Sequence, residues 1–161
     1  MNFNFEKVNL SKTLNKIILK DGDNPFVVDI TGTIVKINDN NLYLKSDQLI
    51  VEFNETLKKI ITKYVLENSK SIYGIIKTVN TINEFYCSSI KNILVNSKYI
   101  EVLKCKNSFD FLNYERVNLK IEIKLWFNKN SFGTYYNVIG INEKIEKKCF
   151  FLNESSSEEE I

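Results

Sequence analysis

Residues 120–141, KIEIKLWFNKNSFGTYYNVIGI, decide how the rest of the chain is read. The first half alternates strictly. Ile121, Ile123, Leu125 and Phe127 fall on one side of an extended chain, and Lys120, Glu122, Lys124 and Trp126 on the other. NKNSFG then supplies a hairpin loop, and TYYNVIGI supplies the return strand. The charged side of the first strand carries the only tryptophan of the chain. Two explanations compete for it. In one, another layer covers that face and Trp126 belongs to a second core. In the other, Trp126 is open because a flat ligand stacks on it.

Working outward, KYIEVLKCK (98–106) and RVNLKIEIKLWF (116–127) read as strands. So does FVVDITGTIVKI (26–37), with Gly32 at a bulge or sharp bend. DGDNP (21–25) breaks the chain, NDNN (38–41) is a hairpin turn, and LYLKSDQLIVEF (42–53) returns. NETLKKIITKYVLEN (54–68) is a helix capped by Asn54, with Leu57, Ile60, Ile61, Tyr64 and Val65 on one face. Residues 1–20 read as a strand followed by a short helix capped by Ser11, and SIYGIIKTV (71–79) as a strand. Residues 82–95 fit helix and strand alike. No internal repeat is visible. The expected fold is mainly β with one or two helices, a small curved β-barrel of the oligonucleotide-binding kind. The alternative is an α+β sandwich. Residues 1–152 form the expected single domain, and 153–161 an acidic, disordered tail.

Composition narrows the chemistry. The 161 residues contain no histidine, which removes histidine bases, histidine-paired nucleophiles and the common zinc sites. The five glycines are scattered and make no phosphate-binding loop. Cys87, Cys105 and Cys149 have no metal-ligand spacing and read as reduced thiols. No catalysis, metal or cofactor is expected. No stretch has about 18 consecutive apolar residues, and the first ten residues lack a signal-peptide layout. An intracellular, non-secreted protein is expected. Lys, Asn and Ile are abundant and share A/T-rich codons, which lowers the weight of any single lysine.

Charge is distributed unevenly. Glu154, Glu158, Glu159 and Glu160 lie in the last residues, and removing those four acids changes the net charge from +2 to +6. A basic body with aromatics among its lysines suits single-stranded nucleic acid, DNA in first place. Bases stack on rings and cations hold phosphates. The candidate contacts are Trp126, Lys120, Lys124 and Lys129, with Phe132, Tyr135, Tyr136, Arg116, Lys104 and Lys106 extending the groove. Tyr135 and Tyr136 point to opposite faces, so one of them shares the side of Trp126.

A basic barrel followed by FFLNESSSEEEI (150–161) resembles the replicative single-stranded DNA-binding proteins of bacteria, phages and large DNA viruses. The proline and final aromatic residue of the bacterial tail are absent here. The resemblance implies a viral-type replication system. It also implies a tail, Glu154 and Glu158–Glu160 with Ile161, that regulates binding and recruits replication proteins. Ser155, Ser156 and Ser157 are candidate phosphorylation sites beside those acids. The rival expectations are a protein–protein interaction subunit of a polymerase or transcription complex, and an RNA-binding barrel.

Overall fold

The computed structural model describes residues 3–14, 16–47 and 49–146. Cys149, the serines 155–157 and the acidic segment 153–161 lie outside the described residues. The fold is mainly β. Its strands are β1 (Val8–Thr13), β2 (Lys16–Asp21), β3 (Asn24–Pro25), β4 (Val27–Asn38), β5 (Asn41–Ser46), β6 (Tyr86–Cys87), β7 (Ile90–Val95), β8 (Lys98–Lys106), β9 (Tyr114–Asn128) and β10 (Ser131–Glu146). Three helices lie between β5 and β6: α1 (Ile50–Glu67), α2 (Ser69–Tyr73) and α3 (Val79–Phe85).

Five strands close a ring. β4 pairs with β5, β5 with β8, β8 with β10, β10 with β9, and β9 with β4. Only β8–β10 is parallel, through Tyr136↔Cys105 and Asn137↔Lys106. The result is an oligonucleotide-binding-like barrel. Closing five strands demands strong curvature, and Gly32 shows where. A Cβ there would lie 2.4 Å from the carbonyl oxygen of Lys45 on the neighbouring strand. Only glycine lets β4 and β5 approach that closely.

Alternation fills the barrel. Val117, Leu119, Ile121 and Ile123 of β9 are buried, as are Val28 and Ile30 of β4, Leu42 and Leu44 of β5, and Leu103 and Cys105 of β8. Burial pushes the Cys105 thiol up to about 12, so it is a core side chain and not a nucleophile. α1 plugs one side of this core with Phe53, Leu57, Ile61 and Val65, the i, i+4, i+8, i+12 stripe of an amphipathic helix.

Several local expectations are corrected. Residues 8–21 form a hairpin, not a strand and helix; its turn passes through Leu14 at φ 56. α1 begins at Ile50, one turn before Asn54, because Ile50 and Phe53 continue the apolar stripe. Asn54 is therefore no cap. It is buried, and its Oδ1 accepts a hydrogen bond from the Tyr136 hydroxyl at 2.9 Å. The segment 71–79 is not a strand, since α2 ends there at Gly74 in the left-handed region, φ 80. The ambiguous 82–95 divides into the end of α3, then β6 and β7.

Candidate nucleic-acid interface

The outer face of the barrel is built by the residues between the buried ones. Toward the end of β9 these are Lys124 and Trp126. On β10, Tyr135 lies directly opposite Lys124, and Gly133 opposite Trp126. Trp126 is half-buried and takes no part in the core. Gly133 explains its position. A Cβ at residue 133 would come within 3.1 Å of the indole and 2.5 Å of the Cys87 carbonyl oxygen. Without that Cβ the indole lies against the backbone of β10. The tryptophan belongs to the outer surface and rests on a glycine.

The surface continues around the ring. Lys106 of β8 places its Nζ 4.8 Å from the centre of the Tyr135 ring. Lys104, two residues back and on the same face, is paired with Tyr43 of β5. Lys36 of β4 lies opposite Tyr43 and sets its Nζ 5.7 Å from that ring. Trp126, Tyr135 and Tyr43 thus interleave with Lys124, Lys106, Lys104 and Lys36 over five adjacent strands. At a strand spacing of about 4.8 Å this covers about 19 Å of the circumference. Lys36 and Lys106 are already beside rings, in the geometry of a cation–π contact. Glu122 is the one acid in this row, 3.8 Å from the Lys124 ammonium.

Beside Trp126 the surface opens into a cleft of about 730 Å³. One wall is β9 from Glu122 to Phe127, together with Tyr135. The other is the β1–β2 hairpin, through Lys12 and Lys16–Leu19, with Ser71 and Ile72 of α2. Lys12 reaches across to Ser71, 3.3 Å from its hydroxyl.

The candidates read from sequence fall into three groups. Trp126, Lys124, Tyr135, Lys104 and Lys106 are brought together on one face, and exposed Lys129 sits in the β9–β10 turn just beyond them. Phe132 and Tyr136 are corrected out of the interface: both are 0% exposed. Phe132 stacks on Phe127 at 5.8 Å, and Tyr136 faces Asn54. Alternation places Tyr135 outside and Tyr136 inside.

Arg116 and Lys120 form the third group. Arg116 grips both carboxylate oxygens of Asp47 and donates to Thr33 Oγ1 at 3.0 Å. That partnership holds the Asp47 carboxyl below the usual carboxylate range and raises the guanidinium in turn. Arg116 is thus engaged within the protein and no ready phosphate ligand. Lys120 is exposed but lies opposite Asp29, about 20 Å along the strand from Trp126. Nearby, Asn142 donates to Asp29 Oδ1 at 2.8 Å and to Asn118 Oδ1 at 2.7 Å, and Asn118 donates to Thr31 Oγ1 at 2.5 Å.

Sequence reasoning missed Tyr43, Lys36, Lys12 and Lys16. LYLKS alternates, so Tyr43 was identifiable as an outward aromatic. Lys12 and Lys16 were hidden by reading their segment as a helix.

No protein-family model matches this chain, and no solved structure matches it. One curated relative, Protein TIC 214 of Lepidium virginicum, is 27% identical over 117 residues. The match covers 63% of this chain and only 7% of that much longer protein. It establishes no family.

Proposed function

We propose that this protein binds single-stranded nucleic acid, DNA in first place, without catalysis and with little regard for sequence. One observation carries the reading. Three aromatic rings and four lysines share the outer face of a barrel whose core uses none of those rings. Bases stack on Trp126, Tyr135 and Tyr43, each stack contributing about 1–3 kcal/mol. Lys36, Lys104, Lys106 and Lys124 neutralise phosphates. The length of the surface fits the lower end of the roughly 4–16 nucleotides occupied by one such barrel. In this reading the protein works inside cells, in a replication system of viral type. Its acidic segment 153–161 weakens non-specific binding and recruits replication proteins.

Titration with oligo-dT, followed through the single tryptophan at several salt concentrations, tests this. Strong quenching is expected. The logarithm of the affinity should fall against that of salt with a slope near −3, about −0.7 for each of four phosphates. Deleting residues 153–161 should tighten binding. An RNA competitor that displaces the DNA at equal concentration would shift the assignment to RNA. Unchanged fluorescence and no binding at low salt would sink the proposal and leave a protein–protein interaction module in front.

A further inference from the structure

The cleft beside Trp126 has a property that stacking does not use. β9 is paired on both sides from Arg116 to Glu122. The Ile123 amide then donates to the Phe26 carbonyl at 2.9 Å. Beyond it, among the described residues, the ladders of β9 are with β10 alone. Main-chain direction alternates along a strand, so the N–H and C=O groups of Leu125 and Phe127 point the same way as the Ile123 amide, to the open side. The facing wall is open too. β2 is paired with β1 along its length, but β3 reaches only Lys20 and Asp21 on its other edge. Among the described residues, two strand edges without ladder partners therefore border one cleft.

We infer that this cleft takes an extended acidic peptide from a partner protein, added to β9 as a further strand. An open edge offers alternating donors and acceptors at the repeat of a peptide main chain. A phosphodiester backbone brings acceptors only and would leave the Leu125 and Phe127 carbonyls unmet. Ile17, Leu19, Ile72 and Phe127 line the walls and suit apolar residues at alternate positions of the guest. Lys12, Lys16 and Lys124 select acids between them, since Glu122, the sole acid lining the cleft, is already held beside Lys124. From Ile123 to Phe127 the open edge is about 13 Å long, room for four or five residues.

The chain's own acidic segment does not fit as the guest in cis. That segment, residues 153–161, has no apolar residue before Ile161, so it offers nothing at alternate positions to Ile17, Leu19, Ile72 and Phe127.

The test uses the full chain and a short capped peptide alternating glutamate and valine. Binding should slow hydrogen exchange at the Leu125 and Phe127 amides by about tenfold or more. A lysine–valine peptide, or the Lys16→Glu variant, should bind at least about tenfold more weakly. Methylating every second amide of the guest should abolish binding. Equal binding of the methylated peptide, or unchanged exchange at residues 125 and 127, would overturn the inference. So would binding seen only after truncation at Leu152, which would give the cleft to the chain's own acids. None of these readouts involves nucleic acid, so the peptide site stands or falls separately from the oligo-dT result.

Discussion

The two halves of β9 have similar sequences and opposite surfaces. In the first half every second residue is buried in the barrel; in the second Ile123 is buried, and Leu125 and Phe127 are half-buried. In the first half the outward residues are Arg116, Asn118 and Lys120. They lie between two paired strands and among hydrogen-bonding neighbours: Thr33 and Asp47 for the arginine, Thr31 and Asn142 for the asparagine. In the second half the outward residues are Lys124 and Trp126, beside an open edge and a cleft. Arg116 and Asn118 are held by their neighbours, whereas Trp126 borders an open cleft. A cation is available to a ligand only where its neighbours leave it so, and that is set by strands distant in sequence.

The largest effect expected from this contrast is on binding. Trp126→Ala should weaken oligo-dT by about 5- to 150-fold, the equivalent of one lost stack. Arg116→Gln, which removes a positive charge from the outer face of β9, should change it by less than about twofold. Equal losses in the two variants would erase the distinction between the halves.

The adjacent tyrosines offer a second test, of nearly the same size. Tyr136→Phe removes a buried donor and leaves Asn54 Oδ1 unmet, so it should cost about 1–3 kcal/mol of stability by urea titration. Binding per folded molecule should stay unchanged. Tyr135→Ala should do the reverse, weakening oligo-dT while leaving the urea midpoint in place.

That pair also marks how far the sequence could be read. Period-two alternation in KIEIKLWF and TYYNVIGI was enough for the two long strands, for the barrel and for the location of Trp126 and Lys124. Alternation also said that the tyrosines face apart, but not which one faces in. That depends on Asn54, 82 residues away, whose buried amide receives one hydroxyl. Arg116 was misread for the same reason: Asp47, its partner, is 69 residues distant. Phe132 was read as part of an exposed loop, yet the turn is shorter and Phe132 already belongs to β10. The hairpin at 8–21 was missed because IIL and neighbouring lysines fit a short helix as well as a strand, and tertiary pairing decided.

Smaller changes sharpen the open half. Glu122→Gln removes the only acid beside Lys124 and should tighten oligo-dT by about two- to fivefold at low salt, the size of one partly exposed charge interaction. The gain should vanish as salt is raised. Lys106→Gln should reduce the salt slope by about 0.7, one phosphate contact, even if the affinity at a single salt concentration moves little.

The smallest effect probes the bonded half, through pH. Arg116 depresses the Asp47 carboxyl, so the folded protein holds that proton less tightly than the unfolded chain does. The pair therefore adds stability above the ordinary aspartate value near 3.9, and loses it as pH falls through the lowered folded value. Asp47→Asn lacks this contribution. The melting temperature of the natural protein should exceed that of the variant by a small, constant margin from about pH 7 to pH 5, and the two should converge at lower pH. Both side chains are more than one-third exposed, which keeps the margin small. The substitution also frees Arg116 without moving it toward Trp126. If the working surface is confined to the open half, oligo-dT should bind the variant as it binds the natural protein; a clear gain would extend that surface along the whole of β9.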